Sequence, residues 1–390
     1  MSRKRASGLV VLGVLVIAVA LTAALAAAQD GPPPSQYDAV ATGLDSPRHL
    51  EFGADGALYV AEAGHGGSVC VPEGDSQRCF GQTGAITRIE DSARALPGQE
   101  RLADDMVSVA RDDQSDAVGP HDVAWDAEGN LMAIVGLGTN PNVRGAAGPF
   151  GALSANLGQL AQVAANGTWT SVVDVAAYEA AENPDGGEID SNPYALARVD
   201  DGYLVADAGA NALLHVADNG DITTVAVFPN RMVEFPPGSG QMMPMQAVPT
   251  SVVVGPDGAY YVGQLTGFPF PVGGANVYRV VEGQEPEVYA GGFTNVIDVA
   301  FDEAGNLYVL EITANGLLSG DPTGALIRVD EAGHKTLLAS RGLDFPGGLA
   351  IGDDGYLYIT TWAGQGNAMG AVVRVNSQLT SRLPIIASDQ

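Results

Sequence analysis

Lysine is almost missing from this chain. Of 18 basic residues only Lys4 and Lys335 are lysines, set against 46 acidic residues. A surface of that sign repels nucleic acid and anionic membranes and favours cations or basic partners, the alternative being that it serves only solubility or a salty habitat. Histidine is scarce as well, five in all, and no Gly-x-Ser-x-Gly elbow, Walker loop, His-Glu-x-x-His or CxxC pair occurs. A hydrolase would have to use His49, His65 or His121, and no spacing pairs any of them with a nucleophile. His215 and His334 fall in outer-strand regions. Cysteine is limited to Cys70 and Cys79. Two thiols alone make a poor metal site, and in an exported chain they are read as one disulfide pinning a loop.

Export is suggested by the one long hydrophobic run. Arg3, Lys4 and Arg5 precede an almost wholly apolar stretch from Leu9 to Leu25, and Ala26-Ala27-Ala28 offers small residues to a signal peptidase. Residues 1–28 are therefore expected to be a signal peptide, with an uncleaved N-terminal anchor as the alternative. Residues 29–36 form a stiff Pro-rich spacer. Without residues 1–28 the chain keeps 15 basic and 46 acidic residues, a net charge of 15 − 46 = −31. A secreted or extracytoplasmic monomer is expected.

What the chain does have is a strand–turn–strand theme in six copies: LEFGADGALYVAEAG, VAWDAEGNLMAIVGLG, LARVDDGYLVADAG, VVVGPDGAYYVGQLTG, VAFDEAGNLYVLEIT and LAIGDDGYLYITTWAG. Their turn glycines are Gly56, Gly129, Gly202, Gly258, Gly305 and Gly355. Acidic-Gly turns between Val, Leu, Ile and Tyr runs predict hairpins. An all-β unit recurring about every 40–50 residues, long loops aside, predicts a β-propeller. A third strand follows each hairpin (Ala85–Ile89 in the first) and a fourth follows five of them, but the sixth unit lacks its outer strand. Asp38–Thr42 supplies one, because Gly43-Leu44-Asp45-Ser46-Pro47 repeats Gly342-Leu343-Asp344-Phe345-Pro346 ahead of the last unit. The expected fold is a six-bladed β-propeller over residues 37–376, closed by the N-terminal strand pairing with residues 371–375. Residues 377–390 are a tail.

The long connections, 64–84, 138–157, 176–192, 229–248, 265–275 and 313–323, emerge on one face, which is the expected working face. Two columns of residues meet it. Starts of first strands bring Arg48-His49, His121-Asp122, Tyr194-Ala195, Thr250-Ser251, Ile297-Asp298 and Gly347-Gly348; ends of second strands bring Glu62, Val135, Asp207, Gln264, Glu311 and Thr361. Ring closure is expected to gather His49, Glu62, His121, Asp122, Asp207, Gln264, Asp298 and Glu311 around a central mouth. Carboxylates converging without lysine suit a hard divalent cation such as Ca²⁺, with Glu62, Asp122, Asp190, Asp298 and Glu311 as its ligands. The alternatives are that each caps strand backbone in its own blade, or that ordered water satisfies them. The linker Asn183 to Pro193 offers Asp185, Glu188, Asp190 and Asn192 either to calcium or to plain Asx turns. Met232, Met242, Met243 and Met245, with Phe268-Pro269-Phe270-Pro271 and Trp362, are expected to wall an apolar pocket over the mouth.

The stretches GLDSPRHLEFGADGALYVAEAG, GPHDVAWD, NPDGGEIDSNPYAL, VADAGANALLHV, VPTSVVVGPDGAYYVGQLTGFPFP, GFTNVIDVAFDEAGNLYVLEI and GALIRVD resemble the ScyD/ScyE family, over about residues 37–376. That resemblance implies a secreted propeller related to the NHL and lactonase-like (SMP-30) groups, without an established reaction. Lactonase-like propellers carry an acidic metal ligand where Asp45-Ser46-Pro47 stands here, but Asp344 fills the same slot in the sixth repeat and the group's further ligands have no clean counterparts. Two functions follow as expectations. The first is an exported binding module whose acidic face engages a protein, glycan or small ligand, with a structural Ca²⁺. The second is a metal-dependent hydrolase with a central cation.

Overall fold

The computed structural model describes residues 37–375, apart from 91, 94–97, 365 and 367. The signal or anchor segment, the spacer and the tail lie outside the described residues. None of the described helices is long and apolar enough to cross a membrane.

The repeated hairpins form for a local reason. Gly56, Gly129, Gly258, Gly305 and Gly355 take φ between 74° and 80°, open to glycine and strained for other residues. Asp55, Asp257, Asp302 and Asp354 each accept a backbone N–H within the turn and the hydroxyl of Tyr59, Tyr261, Tyr308 or Tyr358 on the second strand. The aromatic body thus packs between sheets while its polar tip is satisfied at the turn. Gly202 differs from the other five. It opens the second strand opposite Val199, and a Cβ there would lie 2.2 Å from the Val216 carbonyl oxygen, so close approach and not positive φ requires glycine.

Among the described residues seven antiparallel sheets form, one more than the six blades expected. Sheet 1 contains Pro47–Phe52, Leu58–Glu62 and Ser76–Ile89, the last flanked by Val69–Glu73 and Gln99–Arg111. Sheet 2 is Pro120–Trp125, Leu131–Val135, Gln159–Val163 and Trp169–Asp174; sheet 3 is Pro193–Val199, Gly202–Asp207, Ala212–Ala217 and Ile222–Val227. Sheet 4 is Pro249–Val254, Tyr260–Gln264, Ala275–Val280 and Glu287–Phe293; sheet 5 is Val296–Phe301, Leu307–Glu311, Ala325–Val329 and Lys335–Ala339. Sheet 6 is Gly348–Ile351, Leu357–Thr361, Gly370–Val375 and Tyr37–Leu44. The seventh is a two-stranded ribbon, Arg231–Glu234 with Met242–Met245, inside the connection between sheets 3 and 4.

First strands of sheets 1 to 6 touch one another in cyclic order, the sixth returning to the first. This is a β-propeller. Tyr37 pairs with Val375 and Leu44 with Gly370, so the two ends of the described chain share one sheet. The core lies between neighbouring sheets: Tyr59, Ile86, Val123, Leu131 and Ala161, for example, join sheets 1 and 2 in one buried cluster. At about 1.5–3 kcal/mol per buried large apolar side chain, these contacts hold the ring.

Two connections are more ordered than the sequence suggested. The expected third strand Ala85–Ile89 runs from Ser76, forming an extra hairpin with Val69–Glu73 in which Cys70 and Cys79 face each other and are disulfide-bonded. The connection from sheet 2 to sheet 3 opens with a helix, α1 (Val175–Glu182). Asp174 caps it by accepting the Ala177 N–H at 3.0 Å, and Asn183 ends it at φ 42°.

Candidate functional site

Five first strands carry an irregularity at the same place. Register shifts fall between Pro47 and Leu50, Pro120 and Asp122, Pro193 and Ala195, Pro249 and Ser251, and Val296 and Asp298. Four of them begin at proline, which has no N–H to give a ladder and suits a strand start. A bulge re-aims side chains, and here consecutive residues face opposite ends of the axis. Arg48, His121, Tyr194, Thr250 and Ile297 line a pocket of about 340 Å³ on the loop face. His49, Asp122 and Asp298 line a second cavity, of about 300 Å³, which also takes in Glu51, Phe52 and Val254 from the far half of the first strands.

The loop-face pocket is walled mainly by apolar side chains, Val118, Val248, Leu265, Ile312, Leu317 and Phe345, with Ser115, Asp116 and Asn192 as polar parts of its lining. At its floor Arg48 is 6% exposed. Its Nη2 donates to the Ala117 carbonyl, its Cζ lies 6.0 Å from the Tyr194 ring centroid, and its Nε is buried without a partner. Among the described residues no carboxylate lies within ion-pair distance of it. The His121 ring packs 4.5 Å from Tyr194. Burial, then the Arg48 charge, hold the imidazole well below its usual pKa, so it is neutral. Its Nδ1–H donates to the Pro193 carbonyl at 3.1 Å, which leaves Nε2 an unprotonated acceptor, buried and unpaired. The pocket therefore offers a buried cation and a buried lone pair beneath apolar walls.

Below that floor His49 lies between Asp122 and Asp298. Burial acts to lower its pKa, but Asp298 and then Asp122 push it up to about 9. Asp298 is raised to about 6 by burial, against the pull of His49, and Glu51, exposed to solvent where it lines the same cavity, is pushed upward by partial desolvation there and by both aspartates. Each aspartate is already engaged by backbone. Asp122 accepts from Val123 and Leu196 N–H, both at 2.8 Å, and Asp298 from Val299 and Leu349 N–H, both at 2.7 Å.

The second-strand column does not reach either cavity. Glu62 accepts from the Asp45 N–H, the Thr87 hydroxyl and Arg101. Asp207 accepts from the Ser191 hydroxyl and from Asn192, Gly209 and Ala210 N–H. Gln264 accepts from Asn276 N–H and Arg231, and Glu311, raised to about 7 by burial, from Thr294 N–H. These groups fasten strand ends to adjoining strands and connections; His49, His121, Asp122 and Asp298 alone of the expected mouth residues meet at the axis. Among the described residues no three His, Cys, Asp or Glu side chains come together as a metal cage. The central cation that the lactonase-like resemblance implies does not fit this axis, where a guanidinium and a charged imidazole stand. Asp45, in the slot of that group's acidic ligand, pairs with His65 at 3.0 Å and Arg101 at 3.4 Å and accepts the Ala368 N–H.

The apolar wall also differs from expectation. Met232 and Met242 on the ribbon are more than half exposed, and Phe268 packs on Phe235. Trp362 acts through Phe345, which it meets edge-on at 6.1 Å. Arg48 and Tyr194 belong to the first-strand column but are neither acids nor imidazoles, the residue types expected at the mouth. Their signal is position: each follows a strand-opening proline, in Pro47-Arg48 and Pro193-Tyr194.

No family profile matches the chain, and no curated protein matches it in sequence. Solved structures are similar in shape, one of them at a TM-score above 0.5. A structural-genomics protein of unknown function from Bacteroides thetaiotaomicron is similar at TM-score 0.52 and 9% identity, over 86% of this chain and 70% of that one. A virginiamycin B lyase from Staphylococcus aureus, in a catalytically inactive form with quinupristin, superposes at TM-score 0.41 and 10% identity over 89% and 98%. A protein provisionally assigned as a gluconolactonase does so at 0.45 and 12% over 88% and 93%. At these identities the likeness concerns the fold alone.

Proposed function

We propose that the chain is an exported six-bladed β-propeller, of the kind its resemblance to the ScyD/ScyE family implies, acting as a binding module for a small molecule through its loop-face pocket. The two-stranded ribbon is then an insertion between the third and fourth blades. The observation that carries the small-molecule role is Arg48. A buried charge without a counter-charge costs several kcal/mol, and this one sits beneath apolar walls in a chain with an excess of acid. Such a floor is complementary to a ligand with an apolar body and a carboxylate head, and the guanidinium fork matches a carboxylate in two places.

The test is a series of thermal melts and calorimetric titrations with octanoate, octanol and octylamine. Octanoate is expected to raise Tm in a concentration-dependent way, by about 2.7 kcal/mol of stability at a hundredfold excess over Kd; the amine is not. Arg48→Met is expected to abolish the effect. If no carboxylate shifts the wild type, or if Arg48→Met binds octanoate unchanged, this function is wrong.

His121 favours a second reading, hydrolysis in the same pocket, because a neutral imidazole with a free Nε2 beside a guanidinium can serve as a general base. Lactone turnover by the wild type that His121→Gln loses, with octanoate binding retained, would make the protein an enzyme.

A further inference from the structure

Every carboxylate or carboxamide oxygen that is buried without a hydrogen-bond partner among the described residues falls in one short stretch. They are Oε1 and Oε2 of Glu179, Oδ1 of Asn183 and Oδ1 of Asp190. Glu179 lies in α1 and is 0% exposed. Asn183 ends that helix, its Nδ2 donating to the Gly187 carbonyl at 3.1 Å. Asp190 lies further along the linker, its backbone so close to Gly209 that a Cβ there would come within 2.9 Å of it. The surroundings are negative. Burial, then Asp207 and Asp185, raise the pKa of Glu179 to about 7 against the pull of the nearby Asp190 N–H, and burial, then Asp207 and Glu188, raise that of Asp190 to about 6 against the Ser191 N–H; neither N–H lies in hydrogen-bonding geometry. Asp185 and Asp207 already accept from Gly187 N–H and Asn211 and from Ser191, Asn192, Gly209 and Ala210. Among the described residues no Arg, Lys or His forms an ion pair with any of these five acids.

Elsewhere among the described residues buried carboxylates are satisfied by N–H groups, hydroxyls or arginine, so the exception points to a ligand from outside. We propose that Glu179, Asn183 and Asp190 are the side-chain ligands of a calcium ion, with backbone or water oxygens completing its shell. The donors are all oxygen, which suits a hard cation, and calcium takes six to eight oxygens with bidentate carboxylates in irregular geometry. Only two of the three are carboxylates, so the site needs no trio of His, Cys, Asp or Glu. Asp185 and Asn192, offered to calcium by the sequence, are used otherwise: Asn192 Oδ1 accepts the Leu137 N–H at 3.2 Å. The linker runs on into Asn192 and Tyr194 at the loop-face pocket, so an ion here would order one wall of that pocket. The site is independent of what the pocket binds.

The experiment uses the full chain stripped with EDTA, titrated calorimetrically with CaCl₂ and separately with MgCl₂, with melts in parallel. One Ca²⁺ per chain and a raised Tm are expected, with Mg²⁺ at least tenfold weaker. Glu179→Gln and Asp190→Asn are each expected to weaken binding at least tenfold, while Asp353→Asn, at an exposed hairpin turn, leaves it unchanged. Absence of a Ca²⁺ response at millimolar concentration overturns the proposal, as does a Glu179→Gln variant that binds like the wild type, which would mean diffuse binding to an acidic surface. A Glu179→Gln variant more stable than the wild type in EDTA, with Ca²⁺ without effect on either, would identify a buried neutral acid instead. If Glu179→Gln fails to fold, Asp190→Asn and Asn183→Ala carry the comparison.

Discussion

His49 Nδ1 stands 3.1 Å from Asp122 Oδ2, a contact that ties sheet 1 to sheet 2 at the axis of the ring. The other imidazole nitrogen donates to the Ile297 carbonyl of sheet 5 at 3.3 Å. Asp122 reaches on to the Leu196 N–H in sheet 3, and Asp298 to the Leu349 N–H in sheet 6. One imidazolium and two carboxylates thereby join five of the six inner strands. Radial apolar packing fixes neighbouring sheets to each other, whereas this polar layer spans the hole in the middle.

The layer makes stability depend on pH in a defined direction. His49 has a pKa of about 9 in the folded protein, above its ordinary value of 6.5. Its contribution is therefore fully present below pH 6.5 and lost as pH rises through 9, amounting to about 3 kcal/mol. Asp298, also raised, pulls the same way at lower pH. Urea unfolding at pH 6.5 and 9.5 is expected to find the wild type weaker at the higher pH. His49→Gln, which leaves two buried carboxylates uncompensated, is expected to cost about 3–5 kcal/mol at pH 6.5 and less at pH 9.5. An equal cost at both values would mean that His49 is neutral when folded.

Glu62 offers a test of the strand-end fastenings. Fully buried, it holds Asp45 N–H, the Thr87 hydroxyl and Arg101 at once. Removing one partner of a buried charged network costs about 3–5 kcal/mol, and Glu62→Ala is expected to lie in that range by urea unfolding. Glu62→Gln, which keeps the shape and can still accept, is expected to cost less. A loss under about 1 kcal/mol for the alanine variant would show that the network adds no net stability.

The hairpins, their turns and the pairing of the chain ends were legible because each is written in local pattern: alternating apolar residues, an acidic-Gly turn, and a Gly-Leu-Asp-x-Pro stretch used twice. The site was less so. Glu62, Asp207, Gln264 and Glu311 occur at matching positions, and matching position alone cannot say whether a side chain enters a cavity or turns back to cap a neighbouring strand. The outcome depends on the bulges, which send Arg48 to one end of the axis and His49 to the other. A bulge is one residue of register, invisible to a period-two pattern until the partner strand is known. Helix α1 was hidden likewise, since residues 176–192 read as one long connection unless Asp174 is seen as a cap.

Closure of the ring rests on the strand Tyr37–Leu44, where Val40, Ala41 and Leu44 are each 1% exposed. Val40 packs in one cluster with Leu50, Tyr358 and Val372. Val40→Asp would place an unpaired charge there, and an ion in that setting costs far more than the roughly 1.5–3 kcal/mol of lost apolar burial. Asp38→Asn on the same strand breaks only the exposed pair with Arg374 at 3.2 Å, which is worth about 0–1 kcal/mol. If the strand closes the ring, Val40→Asp unpairs Gly370–Val375 and leaves an open row of N–H and C=O groups, the kind of edge that recruits other chains. The expected result is a variant that elutes as oligomers or aggregates in size-exclusion chromatography and loses amide protection over 370–375, while Asp38→Asn behaves as the wild type. A monomeric Val40→Asp variant with those amides still protected would mean that the first strand decorates a ring already closed without it.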